Sequence, residues 1–158
     1  MTVTNTKILT LLQAIEVVEN NPTTLVTGSF DLLHLGHLRF IHNAKLQSPN
    51  NKLLLVLLSD QTIRERKGSG RPLFNQSERL EMLSYIHDID FLLLWEQPWQ
   101  ELRNFVSQTK PKVLVVNDQD SGIDNKRAVI EAVGGQLVIL KRDSQHSTSN
   151  IIAKIKTL

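Results

Sequence analysis

The sequence predicts a Rossmann-like α/β fold, a doubly wound parallel sheet of five strands with helices on both faces. Three observations predict it. Short apolar runs alternate with longer segments of helical periodicity along the chain. Residues 53–58 are apolar without a break, as expected of a strand covered on both faces. The polar and glycine-bearing clusters follow the strands, where open α/β sheets bind ligands.

Taken in order, Ile8, Leu11, Leu12, Ile15 and Val18 recur at helical spacing. An amphipathic lead-in helix is therefore expected within residues 1–22, ended by Asn20-Asn21-Pro22. Residues 24–27 read as the first strand, 36–47 as a helix and 53–58 as the second strand. Residues 59–72 are polar, hold Gly68 and Gly70, and read as a mobile loop. A helix follows over 77–86, with Asn75 or Ser77 as its cap. A buried strand follows at 91–94, and Pro98 suits the first turn of a helix running to 108. Residues 113–116 form the fourth strand, and 124–133 a helix stopped by Gly134-Gly135. Residues 136–140 form the fifth strand and 147–155 the last helix, capped by Ser147 or Thr148. There is no internal repeat, low-complexity tract or linker, so residues 1–158 read as one domain, with 23–158 as its α/β core.

Composition narrows the function. The chain has 158 residues, a net charge of +2, 41% hydrophobic and 22% charged residues, ordinary for a globular domain. Its pI near 9.0 reflects a slight excess of Lys and Arg without any run of five like charges. Nucleic acid is not an expected partner. With no cysteine, thiolate metal sites, disulfides and a Cys nucleophile are excluded. The N-terminal stretch lacks signal-peptide character and no apolar run is long enough for a bilayer, so a cytoplasmic protein is expected.

The segment GSFDLLHLGH, residues 28–37, holds a glycine, an acid and two histidines three positions apart just after a strand. If a helix opens at Leu35 or Gly36, both imidazoles lie near its free N–H groups, a phosphate-binding place. There they can donate to oxygens that gain charge in phosphoryl or nucleotidyl transfer. Gly28 serves either a tight turn or a close ligand approach. Asp31 serves either as a cap or near Mg²⁺. A zinc site is disfavoured, because no third clustered histidine is visible. Arg64, Arg66, Lys67 and Arg71 surround Gly68 and Gly70, giving either a solvated loop or a cationic flap over a triphosphate. HSTSN, residues 146–150, offers hydroxyls at a helix start, for capping or for an anion. No Ser-His-Asp arrangement or carboxylate pair is apparent, which favours catalysis by positioning and charge neutralisation.

Three segments together resemble the cytidylyltransferase-like nucleotidyltransferase superfamily. GSFDLLHLGH matches its G-x-F-D-x-x-H-x-G-H signature. RKGSGRPLFNQSERLEML, residues 66–83, is similar to its lysine loop and arginine helix, and KRDSQHSTSNII, residues 141–152, to its terminal Ser-Thr signature. The adenylyltransferase domain of bacterial ADP-heptose synthase is most similar, and a stand-alone transferase, without the kinase domain often fused to it, is expected. The resemblance implies transfer of a nucleotidyl group from an NTP, ATP favoured, to a sugar 1-phosphate such as heptose 1-phosphate, with Mg²⁺. It also implies a homodimer.

Residue by residue, the resemblance implies that His34, His37 and Lys67 are catalytic. Gly28, Ser29, Phe30, Gly36, Arg79, Arg142, Ser147, Thr148 and Ser149 would bind the nucleotide. Asp31, Lys45, Arg71 and Asp118 would face the acceptor, with Asp31 the protein-borne candidate for Mg²⁺. Two departures stand out. Residues 117–120, Asn-Asp-Gln-Asp, lack the usual glycine and aromatic of the base or acceptor pocket, and His146 replaces the usual Cys or Ile. Transfer of CMP to glycerol 3-phosphate or another small alcohol phosphate, adenylyl transfer to FMN, and an idle nucleotide-binding scaffold therefore stay open.

Overall fold

The computed structural model describes residues 6–158; residues 1–5 of the expected lead-in segment lie outside them. Its strands are β1 (Ile8–Leu9), β2 (Thr23–Gly28), β3 (Lys52–Leu58), β4 (Phe91–Trp95), β5 (Val113–Asn117) and β6 (Gln136–Leu140). Its helices are α1 (Leu11–Asn20), α2 (Leu35–Gln47), α3 (Asp60–Lys67), α4 (Gln76–Ser84), α5 (Leu102–Thr109), α6 (Ile123–Ala132) and α7 (Thr148–Ile155). Among the described residues the six strands form one parallel sheet in the order β1-β4-β3-β2-β5-β6.

Alternation along the strands divides the core in two. Leu54 and Val56 of β3 join Leu25 and Leu114 under α1, α5 and α6, through Ala14, Val18, Phe105, Val106 and Ile130. Leu53, Leu55 and Leu57 face the other way, against Ile41 and Ala44 of α2 and Leu83 of α4. From β2 the chain winds outward through β3 to β4, then crosses back to β5 and β6 on the other side of β2. Right-handed crossovers in opposite directions place helices on opposite faces. The reversal at β2 opens a crevice at the carboxyl ends of β2 and β5, where such sheets bind ligands.

The structure corrects the sequence reading at three elements. The sheet has six strands, not five, because Ile8 belongs to β1, which pairs with β4, and not to the lead-in helix. Thr10 ends that strand. Its hydroxyl accepts from the Gln13 N–H and the Gln13 side chain accepts from the Thr10 N–H, a capping box that starts α1 at Leu11. Within residues 59–72, α3 replaces most of the expected loop. Ser59 caps it by accepting from Thr62 N–H, and Asp60 sits in the first turn with Arg64, Arg66 and Lys67 in the last. Those charges complement the helix dipole. Gly68, at φ +93°, terminates it in a conformation that a side chain disfavours. Pro98 precedes a 3₁₀ turn, Trp99–Glu101, and α5 starts only at Leu102. Among the described residues, no helix is long and apolar enough to cross a membrane.

Candidate active site

The ends of β2, β5 and β6 and the starts of α2 and α7 surround a cleft of about 680 Å³. The segments after β2, β5 and β6 all reach it, as the strand order requires. Arg39, Lys67, Arg71, Lys141 and Arg142 line it, against the carboxylates Asp120 and Asp143, so the cleft suits an anion.

His34 is the N-cap of α2 in extended conformation, and its carbonyl accepts from the N–H groups of His37 and Leu38. One helical turn then brings the rings of His34 and His37 into a stack, with centroids 3.8 Å apart and planes 19° apart. Gly36 lies between them at a crowded point: a Cβ there would stand 2.3 Å from the His146 carbonyl oxygen and 3.0 Å from His34 Cε1. Nδ1 of each ring is buried without a partner. Burial depresses both pKa values. His37 is pushed down to about 3, with the nearby His34, Lys67 and Arg142 adding to the effect. His34 is lowered by burial and then by His146 and Arg142. Both rings are therefore neutral near pH 7. An N–H is costlier to bury unpaired than an acceptor, so the proton belongs on Nε2, which leaves a neutral donor for a ligand.

The loop before α2 is strained: Phe30 and Leu32 have φ of +42° and +49°, a region that non-glycine residues rarely enter. Asp31, between them, supplies the anchor. Its buried carboxylate accepts from Arg71 Nε at 2.6 Å and from the N–H groups of Leu73 and Phe74. Asp31 thus ties the β2 loop to the segment after α3, and its oxygens are engaged there instead of facing an acceptor or a metal. The space over Gly28 is likewise taken, by the Phe30 ring, 2.8 Å from where a Cβ would sit. Lys67 Nζ donates to Ser29 Oγ at 2.8 Å. Partial burial of that ammonium, and then Arg71 beside it, lower its pKa.

On the opposite wall, Arg142 Nη1 donates to Gln119 Oε1 at 2.7 Å. Thr148 and Ser149 reach the cleft from the first turn of α7, and the Thr148 hydroxyl donates to the Asp31 carbonyl. Ser147 does not reach it: buried, it caps α7 by accepting from Asn150 N–H. His146 comes to the cleft as a third imidazole beside the His34–His37 pair, although the sequence shows no third clustered histidine. Its Nδ1 lies 3.0 Å from Asp143 Oδ2. Arg39, and then the side chain and backbone N–H of His146, hold Asp143 far below the usual carboxylate range.

Three further expected site residues lie elsewhere. Arg79 is fully buried and turned into the protein, where it donates to the carbonyls of Ser29, Leu58 and Phe74 and to Asp60. It braces the site from behind and does not approach a nucleotide. Asp118 accepts from the Arg142 N–H, while its neighbours Asn117, Gln119 and Asp120 line the cleft. Lys45 lies eleven residues past His34 on α2, about 16 Å along the axis. It pairs with Asp90 at 2.7 Å and donates to the Asn51 carbonyl at the amino-terminal edge of the sheet. Burial alone would raise the Asp90 pKa, but the Lys45 and Leu53 donors outweigh it and lower it. Lys45→Ala is therefore expected to cost about 1 kcal/mol of stability and to leave kcat/KM within about twofold, read by urea melts and steady-state kinetics. A large kinetic loss would return Lys45 to the site.

The reading of the sequence also missed Arg39, Phe40 and Asn43, which line the cleft with Gly36. The spacing 36, 39, 40, 43 is one helical face, and continuing it from the histidine motif would have found them. Among the described residues no group of three or more His, Asp or Glu side chains is placed to hold a metal ion. Asp31, the carboxylate expected near Mg²⁺, is instead engaged by Arg71 and the N–H groups of Leu73 and Phe74.

The chain is similar to known proteins over most of its length. The chain is 34% identical over 155 residues to the bifunctional protein HldE of Geobacter sulfurreducens, a match covering 97% of the chain and 31% of that protein. It is 31% identical over 151 residues to HldE of Campylobacter fetus, covering 95% and 31%. The chain thus spans about three-tenths of the length of these curated relatives. Among solved structures, a lipopolysaccharide core biosynthesis protein from Thermoplasma volcanium superposes with a TM-score of 0.62 at 25% identity, covering 78% of this chain and 98% of that one. Pantothenate synthetase from Thermus thermophilus shares the fold, with a TM-score of 0.59 at 12% identity, covering 92% and 67%. The sequence profile described as cytidylyltransferase-like matches residues 25–154, most of the chain and every segment that builds the cleft. The chain belongs to the cytidylyltransferase-like family of nucleotidyltransferases.

Proposed function

We propose that this chain joins an NTP, with ATP favoured, to a sugar 1-phosphate such as heptose 1-phosphate and releases pyrophosphate. A phosphate oxygen of the acceptor attacks the α-phosphorus in line. The bond from that phosphorus to the bridging oxygen breaks, and pyrophosphate leaves with the electron pair. Mg²⁺ enters as part of the metal–nucleotide substrate, held mainly through its phosphates.

The observation that carries this reading is the stacked, neutral His34–His37 pair in the same cleft as Lys67. Neutral Nε2–H donors stabilise oxygens that gain charge in the transition state and bind the ground state less tightly than a cation would. Lys67 bridges the donor and acceptor phosphates once it leaves Ser29. Arg142, Thr148 and Ser149 receive the β- and γ-phosphates, and Arg71, held by Asp31, stands on the acceptor side. The sugar phosphate is favoured by the likeness to the HldE proteins and to the lipopolysaccharide core biosynthesis protein.

Lys67→Ala is expected to lower kcat roughly ten- to a hundredfold, the worth of one charge-assisted hydrogen bond. Nucleotide KM should move by less than about threefold. A raised KM with kcat unchanged would make Lys67 a clamp and remove it from the reaction. The reading as a whole is tested by a pyrophosphate-release screen of ATP, CTP, GTP and UTP against sugar, polyol, choline and flavin phosphates. ATP with a sugar 1-phosphate is the expected best pair, and silence in every pair contradicts nucleotidyl transfer.

A further inference from the structure

Arg66 and Lys67 are neighbours in the last turn of α3, so their side chains leave the helix about 100° apart. Lys67 reaches Ser29 in the cleft. Arg66 does not follow it. Its guanidinium carbon lies 5.4 Å from the centroid of the Trp99 ring, over an indole carried on the 3₁₀ turn after β4. A planar cation over an indole face is attractive. The basic cluster that the sequence aims at a triphosphate is therefore split: one cation faces the cleft and its neighbour holds to an aromatic ring outside it.

The packing of α3 gives this contact its weight. The helix is firmly held at its start. Ser59 caps it, Asp60 pairs with the buried Arg79, and the Asp60 N–H donates to the Gln76 side chain. Thr62 and Ile63 are its buried residues, both in the first half. From Arg64 onward every residue of α3 is exposed, and Gly68 breaks the chain's course straight after Lys67. The next anchor is Arg71 on Asp31. The turn that carries Lys67 is thus steadied on its outer side by Arg66 against Trp99.

We propose that Trp99, acting through Arg66, is a positioning residue for Lys67. It fixes the rotation of the last turn of α3, and with it the angle at which the Lys67 ammonium enters the cleft. This deepens the reading of Lys67 given above and rests on it. Trp99 touches no reacting atom, and nearly half its surface is exposed at 46%, so its removal leaves the core intact.

The test is a kinetic cycle joined to a measurement that needs no turnover. Trp99→Ala is expected to lower kcat about two- to fivefold, the scale of an exposed cation–π contact, with nucleotide KM unchanged. Trp99→Phe, which keeps an aromatic face, should recover most of the loss. In a Lys67→Ala background Trp99→Ala should cost nothing more, because the lysine it positions is gone. Independently, brief trypsin digestion read by mass spectrometry should show faster cleavage after Arg66 and Lys67 in Trp99→Ala than in wild type or Trp99→Phe. Losses that multiply in the double variant, no rescue by Phe, or equal cleavage in all three proteins would each overturn the proposal. A protein with no activity in any form but faster cleavage in Trp99→Ala would defeat the functional reading while upholding the contact.

Discussion

His37→Ala should lower kcat by at least about a hundredfold, the scale for losing one transition-state donor. Nucleotide KM should change much less. The expectation follows from the state of the ring. His37 is pushed down to about pKa 3 by burial and by the cations and imidazole around it, so it is no cation for the ground-state triphosphate to bind. Its Nδ1 is buried and unpaired, so its proton sits on Nε2. What alanine removes is a fixed neutral donor, worth most when charge develops on the oxygen it faces. With its pKa depressed in the free protein, His37 is expected to give no pH limb in kcat/KM between about pH 5 and 8. The sign for stability is also set. A folded-state pKa below the unfolded value contributes fully above about pH 6.5, and the contribution is lost as pH falls toward 3. Rate profiles and acid melts of the wild type and His37→Ala check both statements. A raised KM with unchanged kcat would make the ring a ground-state contact only.

Arg79→Met should cost about 3–5 kcal/mol, as expected when one partner of a buried ion pair is removed. The carbonyls of Ser29, Leu58 and Phe74 and the Asp60 carboxylate all lose a donor at once, and methionine keeps the stem but supplies none. For a chain of this size that lowers Tm by roughly 10 °C. Urea and thermal melts decide it. A loss below about 1 kcal/mol, joined to a large rise in nucleotide KM, would instead place the guanidinium at the nucleotide. Since Arg79 holds the backbone of Ser29 and the start of α3, some activity should also be lost, through kcat, as the motif loop loosens.

What is legible in the sequence follows the physics of each part. β2 to β5 are legible because strands buried on both faces read as apolar runs, residues 53–58 the clearest, while β6, an edge strand with Ile139 exposed, is legible as the apolar run after Gly134-Gly135. β1 is two residues long and continues into the apolar positions of α1, so periodicity alone merges them. The Thr10 and Gln13 capping box is the local signal that separates them. α3 holds one apolar residue, Ile63, and a helix with so little apolar face is invisible to periodicity, although Ser59 and Asp60 mark its start. At the site, the histidine motif and the Thr148–Ser149 turn are legible because local sequence and strand order determine where they go. The fates of Arg79, Asp31 and Lys45 are not, since each depends on partners distant in sequence: Ser29 and Leu58, Leu73 and Phe74, and Asp90. His146 and Arg66 show the same limit. Residue type says that each can meet an anion; only the fold shows one facing the cleft and the other turned to Trp99.

The most direct test is the stoichiometry of one reaction. Wild-type protein incubated with MgATP and a sugar 1-phosphate should form pyrophosphate and an adenosine-diphosphate sugar in equal amounts, followed together by an enzyme-coupled assay and mass spectrometry. Both should fall in step in His37→Ala. Pyrophosphate without the sugar nucleotide, or neither product with any NTP and phosphorylated acceptor, would contradict nucleotidyl transfer by this site.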